Sequence, residues 1–219
     1  MEAAMVEALE KTRILWGAGT PRTMRAHWIL HELRLDYQRR PIGPRTGETQ
    51  TAEFTKINPG QKVPVLQDGD FTLSESAAIV TYVGDTYGSA FGLLPPAKTK
   101  ERANYYKWCF FVMTELDAHT LYVIRKHLDL KHIYGEAPNA VQAAKEGFRK
   151  QVLTAGEKLA SQGPYILGER FTGADILLTT CLVSAVRRQI PLTDTLHDYM
   201  QRITARDAYQ SALKANLCE

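Results

Sequence analysis

Cysteine is scarce in this sequence. Among 219 residues there are three, Cys109, Cys181 and Cys218, which lie far apart and form no Cys-x-x-Cys pair. An odd number of isolated cysteines indicates neither a disulfide framework nor a redox pair carried by the chain itself. We therefore expect reduced thiols and a cytoplasmic location.

The excess of one sign of charge is also small, because 27 basic and 24 acidic residues leave a net charge of +3. No run of lysine and arginine exceeds two residues, as in Arg39-Arg40. Proteins that bind nucleic acid cluster their basic residues, so we expect no nucleic-acid partner. No stretch approaches the roughly 18 apolar residues of a membrane-spanning helix, so no membrane partner is expected.

Residues 1–10 contain three glutamates and neither lysine nor arginine. This composition argues against a secretory signal or a transit peptide. We interpret these residues as a short extension, helical or frayed, and assign it no function.

Short strand-like and helical stretches alternate before residue 88. Arg13–Trp16 and Tyr37–Ile42 are interpreted as strands, with an amphipathic helix between them that begins near Thr23. A short helical piece follows near Glu53, and a β-hairpin and a further helix complete this part. The alternation predicts a mixed four-stranded sheet with helices, parallel at first and antiparallel at the hairpin.

The region after residue 88 has a different pattern. Two glycines and Pro95-Pro96 interrupt it first, so residues 89–97 are predicted to be a linker. Beyond the linker the apolar periodicity is helical, in segments over 101–128, 140–160, 176–186 and 195–213. We therefore predict two domains, an α/β domain over 1–88 and an all-α domain over 98–219.

The stretch over 58–87 is the most informative. Val65-Leu66 and Phe71–Leu73 flank an Asp68-Gly69 pair, which supplies the positive φ angles that a tight hairpin needs. Apolar residues then recur at helical spacing, and hydroxyl and carboxylate side chains precede them, so a helix is predicted to begin at about Ser76. Pro64 cannot donate to a sheet ladder and so marks the start of the first hairpin strand.

The segments Lys62–Leu66, Asp68–Leu73 and Glu75-Ser76 closely resemble the glutathione site of cytosolic glutathione transferases, and the theta class most of all. The resemblance implies that the first domain is thioredoxin-like. It also implies a cis bond between Val63 and Pro64, where the residues alone leave trans as the default.

The resemblance further implies how glutathione is held. The backbone of Val63 would pair with the cysteinyl part, while Glu75 and Ser76 hold the γ-glutamyl end. A helix N-terminus suits a carboxylate, and the Glu75 carboxylate suits the ligand's ammonium group. Lys62 would pair with the glycyl carboxylate, with Gln61 as the neighbour that can replace it.

A second motif extends the resemblance to the other half of the chain. Thr172 and Asp175 have the capping-box spacing, a threonine followed three residues later by an acid before an apolar run. A similar arrangement opens a central helix in the second domain of the transferases. The residues themselves indicate a structural motif.

Thr20 is the candidate for activating the glutathione thiol. It ends the first strand, precedes Pro21 and lies five residues ahead of Arg25, a spacing similar to the serine-proline start of several serine-type transferase classes. A turn or N-cap threonine is the structural alternative, and Thr23 or Arg22 could reach the sulfur instead.

Tyr105, Trp108 and Val112 share one face of the first helix in the second domain. By resemblance they are candidates for the wall of the hydrophobic co-substrate pocket, whereas the periodicity alone indicates core. His27 and His31 form an i, i+4 pair without an obvious third ligand, so we predict no metal. The glycine turn after Trp16 lacks its third glycine, and we predict no nucleotide.

The resemblance therefore implies a detoxifying transferase that activates glutathione, as co-substrate, for attack on a small hydrophobic electrophile. It implies a homodimer as well. Two alternatives stay open: a glutathione-dependent reductase, ether-cleaving or dehalogenating enzyme of the same fold, and a non-catalytic binding module.

Overall fold

The structure is a computed structural model that describes residues 12–218. The extension predicted over residues 1–10 lies outside the described residues. Of the described residues, those up to Tyr87 and those from Asp207 onward form one compact unit, and Gly88–Arg206 form a second. The predicted fold class is confirmed, since the first unit holds a mixed four-stranded sheet with helices and the second is helical.

The sheet of the first unit consists of β1 Arg13–Trp16, β2 Gln38–Arg40, β3 Val65–Asp68 and β4 Phe71–Ser74, in the order β2-β1-β3-β4. β1 and β2 are parallel because a helix crosses between them, whereas β1 with β3 and β3 with β4 are antiparallel. Gly69 has a φ of 63° in the hairpin turn, as the Asp-Gly pair predicts.

Eight longer helices lie among the described residues: α1 Pro21–Glu32, α2 Ala52–Ile57, α3 Ser76–Tyr87, α4 Lys100–Phe111, α5 Pro138–Gln162, α6 Gly173–Arg187, α7 Asp194–Thr204 and α8 Asp207–Ala215. α3 begins at Ser76 as predicted. The segment predicted as one helix over 101–128 is α-helical only in α4. Wider π-helical turns follow over Val112–Leu121 and Arg125–Asp129, separated by Tyr122–Ile124.

The segment predicted as one helix over 195–213 is in fact two helices, α7 and α8, divided at Ala205-Arg206. Asp207 opens α8 with an acidic side chain in its first turn, where the helix dipole favours negative charge. Tyr209 of α8 packs edge-on against the buried Trp28 of α1, with ring centroids 4.8 Å apart. The last helix therefore belongs to the compact unit of the sheet, whereas the sequence placed it in an all-α domain over 98–219.

The second unit has an apolar core of its own. α6 is its most buried helix, with Ile176, Leu177 and Leu178 fully buried, as the apolar run predicted. Phe148 of α5 and Leu116 are buried in the same unit. No helix within residues 12–218 is long and apolar enough to cross a membrane.

Candidate functional site

Thr20 is the N-cap residue of α1. Its backbone is extended, with φ −129° and ψ 157°, and its hydroxyl oxygen accepts a hydrogen bond from the Thr23 N–H at 3.0 Å. The Thr23 hydroxyl in turn accepts from the Thr20 N–H at 3.0 Å. Both threonines are buried, Thr20 with 5% of its surface exposed and Thr23 with none. The N-cap function, which was the structural alternative for Thr20, is therefore present.

The end of the chain contributes to the same turn. Asn216, just after α8, accepts the Gly19 N–H on its backbone carbonyl at 2.7 Å. Its side-chain nitrogen donates to the Thr20 carbonyl at 3.1 Å, and its side-chain oxygen accepts from the Thr23 hydroxyl at 2.6 Å. Because a carbonyl can only accept, the amide nitrogen must face Thr20 and the amide oxygen must face Thr23.

The Thr20 and Thr23 hydroxyls differ in whether their proton is available to a ligand. Thr23 has one hydroxyl proton, and the nearest acceptor is the side-chain oxygen of Asn216, 2.6 Å from the Thr23 oxygen. The Thr20 hydroxyl lies 3.0 Å from the Thr23 oxygen, and the cap needs only the Thr20 oxygen, so the Thr20 proton can point either to the Thr23 oxygen or to a ligand. Of the two, Thr20 is the hydroxyl that is able to donate to a sulfur anion.

The turn between β1 and α1 touches the Val63–Pro64 segment. Gly17 has a φ of 110°, and a Cβ at this position would lie 2.5 Å from the Cβ of Val63. Only glycine permits this close approach. The Val63–Pro64 bond is cis, as the resemblance implied, and Pro64 is buried just before β3. The structure therefore brings Val63 beside the turn that leads to Thr20.

Glu75 and Ser76 form the start of α3. Glu75 is exposed and has a φ of 69°, a left-handed conformation that is uncommon for residues other than glycine. Its carbonyl accepts the first helical hydrogen bond, from Ile79 at 2.9 Å. The N–H groups of the first helical turn have no acceptor within a helix, so they favour an anion at this end. Ser76 is 3% exposed.

Arg25 connects α1 to the start of α3. Its guanidinium donates to the Ser76 hydroxyl oxygen at 3.2 Å, and Arg25 itself is 1% exposed. Since the Ser76 oxygen accepts this hydrogen bond, its own proton is directed to another acceptor. A carboxylate at the helix start would therefore meet positive charge, backbone N–H groups and a hydroxyl proton.

Lys62 and Gln61 lie in the loop before the cis bond. Lys62 is exposed, and its carbonyl accepts from the Asn58 amide at 2.9 Å. Gln61 has a φ of 51° and donates its amide to the Thr55 hydroxyl at 3.0 Å. The Gln61 side chain is thus held within the loop, whereas the Lys62 side chain extends from it.

Tyr105, Trp108 and Val112 lie in the interior of the second unit. Their exposed fractions are 0%, 3% and 0%. This placement agrees with the core that the periodicity indicated. Trp108 also lines a cleft of about 510 Å³ within this unit, beside Leu94, Lys107 and Arg170. The place of Tyr105, Trp108 and Val112 in the wall of a co-substrate pocket stays a prediction.

His27 and His31 of α1 take part in a hydrogen-bonded chain. His27 Nε2 lies 3.1 Å from the Gly17 carbonyl, which can only accept, so this nitrogen carries the proton. His27 Nδ1 then accepts from the Tyr37 hydroxyl at 2.7 Å, and that oxygen lies 3.2 Å from His31 Nε2. Burial lowers the pKa of His27 to about 4 and raises that of Tyr37 to about 12. His27 is therefore neutral at pH 7 and fixes the turn at Gly17.

No group of three or more histidine, cysteine, aspartate or glutamate side chains within residues 12–218 is arranged to hold a metal ion. Sequence reasoning missed two residues that the structure adds to the site. Arg25 entered only as a spacing, because nothing local shows that it reaches Ser76, 51 residues away. Asn216 gave no signal, since its partner Thr23 is 193 residues distant.

Two family models match this chain. The N-terminal domain of glutathione S-transferase matches residues 11–85, and its C-terminal domain matches residues 111–207. The first match contains β1 to β4, α1, α2 and all but the last two residues of α3, and the second ends at Asp207, the first residue of α8.

Known proteins resemble the chain over most of its length. Glutathione S-transferase Z2 of Arabidopsis thaliana is 30% identical over 186 residues, covering 82% of this chain and 80% of the relative. Glutathione S-transferase 3 of Zea mays is 28% identical over 206 residues, 90% of each chain. The theta class enzyme of Xanthomonas axonopodis pv. citri, solved with glutathione bound, is 26% identical with a TM-score of 0.79 and covers 93% of this chain and 97% of its own.

Proposed function

The chain belongs to the glutathione S-transferase family, and we propose that it binds glutathione and transfers it to small hydrophobic electrophiles. One observation carries the proposal. The start of α3 presents an exposed acid, Glu75, beside a buried hydroxyl, Ser76, that the buried Arg25 supports at 3.2 Å. Such an arrangement suits a group with both an ammonium and a carboxylate, and the γ-glutamyl end of glutathione has both.

The rest of the peptide would extend along the Val63–Pro64 segment. The paired strand β3 starts at Val65, so the backbone of Val63 lies outside the sheet ladder. Glutathione would take its backbone hydrogen bonds there, and the exposed ammonium of Lys62 would meet the glycyl carboxylate. The sulfur would then lie toward Gly17, which touches Val63, and toward the start of α1.

Activation of the thiol is the catalytic step that we assign to Thr20. A thiol with a pKa of about 8.5 is only a few per cent ionised at neutral pH, and lowering the pKa by two units requires ~2.7 kcal/mol of preferential stabilisation of the anion. The hydroxyl proton of Thr20 and the positive end of the α1 dipole both favour a thiolate. The thiol releases its proton to solvent, the thiolate sulfur forms a bond to a carbon atom of the electrophile, and the leaving group departs with the electron pair of its bond to that carbon.

A non-catalytic glutathione-binding module is the second candidate, and one observation favours it. Thr20 is 5% exposed and its oxygen already caps α1, so the hydroxyl is partly committed to structure. In this case glutathione would bind at Glu75 and Ser76 without ionisation of its thiol.

The transferase proposal includes three further expectations. They are a homodimer, a cytoplasmic location and an electrophile pocket that includes Tyr105, Trp108 and Val112.

The ionisation of the bound glutathione thiol as a function of pH distinguishes the transferase from the non-catalytic module. We would measure kcat/KM with a generic aryl electrophile, and the ultraviolet absorbance of bound thiolate, for wild type, Thr20→Ser, Thr20→Ala and Thr23→Ala. A transferase that relies on Thr20 retains a low thiol pKa in Thr20→Ser and loses it in Thr20→Ala, with kcat/KM reduced by about 10²-fold or less.

The remaining outcomes are equally informative. A loss confined to Thr23→Ala moves the activating role to Thr23. If wild type binds glutathione but shows no thiolate and no turnover, the non-catalytic module is the correct function.

A further inference from the structure

Asn216 is the residue that connects the end of the chain to the capped start of α1. Its carbonyl and both atoms of its side-chain amide contact Gly19, Thr20 and Thr23, at 2.7, 3.1 and 2.6 Å. Tyr209 places α8 against α1, so the contact is supported by packing. We propose that Asn216 is a positioning residue for the thiol-activating hydroxyl of Thr20, an inference that rests on the proposed function.

The hydrogen bonds of this turn determine where each proton goes. The Thr20 carbonyl accepts from the Met24 N–H at 3.0 Å and from the Asn216 amide. These two hydrogen bonds use both lone pairs of the Thr20 carbonyl oxygen. The Thr23 hydroxyl therefore donates to the Asn216 oxygen, and its own oxygen accepts from the Thr20 N–H. Every backbone group of Thr20 is thus fixed, and only its hydroxyl proton can reorient.

Removal of the amide disturbs this arrangement. The Thr23 proton then turns to the Thr20 carbonyl, 2.9 Å away, or to the Thr20 hydroxyl oxygen, 3.0 Å away. The Thr20 hydroxyl has a changed partner and a less fixed rotamer, so it faces the sulfur less often. Binding at Glu75 and Ser76 is left intact. The expected signature is a lower kcat and a higher bound-thiol pKa at a nearly constant KM for glutathione.

The test is a double-mutant cycle. Asn216→Ala is made in wild type and in Thr20→Ala, with Leu217→Ala as the matched control because it is the next residue and its side chain is half exposed. In wild type we expect Asn216→Ala to lower kcat by about three- to tenfold and to raise the bound-thiol pKa. In the Thr20→Ala background we expect no further change of either quantity.

Asn216→Asp provides a second variant of nearly the same size. It retains an acceptor for Thr23 but cannot donate to the Thr20 carbonyl, and its carboxylate adds a negative charge that opposes a thiolate through space. It is therefore made in both backgrounds and should raise the bound-thiol pKa more in wild type than in Thr20→Ala, because only in wild type does the lost hydrogen bond to Thr20 act on the hydroxyl. Equal losses in both backgrounds, or an unchanged pKa in Asn216→Ala and Asn216→Asp, overturn the inference alone. A wild type that forms no bound thiolate overturns the catalytic proposal and this inference together.

Discussion

Two helix starts in this molecule combine the same kinds of side chain, a hydroxyl and an acid, in different surroundings. α6 opens with Thr172 and Asp175, and the Asp175 carboxylate accepts from the Thr172 N–H, the Thr172 hydroxyl, the Ile166 N–H and the Tyr199 hydroxyl at 2.7–3.0 Å. Asp175 has no exposed surface. α3 opens with Glu75 and Ser76, where the acid is exposed and only Ser76 is buried.

The difference shows what turns a helix cap into a site. Both starts combine a hydroxyl, an acid and a helix dipole. At α6 the chain supplies every partner of the acid, so the motif holds structure together. At α3 the acid faces solvent, and the buried Arg25 donates a hydrogen bond to the Ser76 hydroxyl. The start of α3 is therefore available to a ligand. Each prediction below tests one side of this contrast.

Removing the buried acid should have the largest effect. In Asp175→Ala, the Ile166 and Thr172 N–H groups and the Tyr199 hydroxyl lose a buried acceptor. We expect the free energy of unfolding to fall by about 3 kcal/mol or more, as measured by urea denaturation. Asp198→Ala removes an exposed acid next to Tyr199 and should change it by less than about 0.5 kcal/mol. A small loss in Asp175→Ala would remove the distinction between the two starts.

The contributions of two buried groups, His27 of the first unit and Asp175 of the second, should depend on pH with opposite signs. Burial lowers the pKa of His27 from 6.5 to about 4, so the unfolded chain binds this proton first as the pH falls. The stability that His27 contributes is full above about pH 6.5 and is lost by about pH 4, a change of about 3 kcal/mol.

Burial raises the pKa of Asp175, so the folded chain keeps this proton longer, and its contribution falls as the pH rises above the usual value of 3.8. Urea denaturation between pH 7 and pH 4 gives the sum of the two contributions, and the variants His27→Gln and Asp175→Asn separate them. His27→Gln should flatten the loss toward acid pH, and an unchanged slope in this variant would contradict the assignment to His27.

The cap at Thr20 should contribute the least to stability. Thr20→Ala removes the acceptor for the Thr23 N–H, and N-cap threonines contribute about 1 kcal/mol. Thr20→Ser retains the oxygen and is the matched control. Thermal unfolding should therefore show a modest loss in Thr20→Ala and almost none in Thr20→Ser. A loss as large as that of Asp175→Ala would mean that Thr20 is mainly structural.

Local patterns in the sequence were sufficient for much of this picture. The Asp68-Gly69 turn, the start of α3 at Ser76 and the capping box at Thr172 depend on residues within a few positions of one another, and the structure contains all three. The cis bond at Pro64 was implied by resemblance, because base rates for the residues alone favour trans.

The features that the sequence missed depend on distant partners. After the break before Asp207, Tyr209 packs on Trp28, a contact between distant residues that no periodicity reveals. Asn216 and Arg25 act on residues far away in the chain, and a single sequence does not record such contacts. Tyr105 and Val112 have the spacing of a pocket wall and of a core alike, and their burial required coordinates.

The central claim is that the open start of α3 binds the γ-glutamyl end of glutathione, and titration calorimetry tests it most directly. Glutathione would be titrated into wild type, Glu75→Ala, Ser76→Ala and the control Asp70→Ala, which removes an exposed acid from the neighbouring hairpin turn. We predict a loss of about 1.5–3 kcal/mol of binding free energy in each of the two site variants and none in the control. Unchanged affinity in both Glu75→Ala and Ser76→Ala would contradict the account.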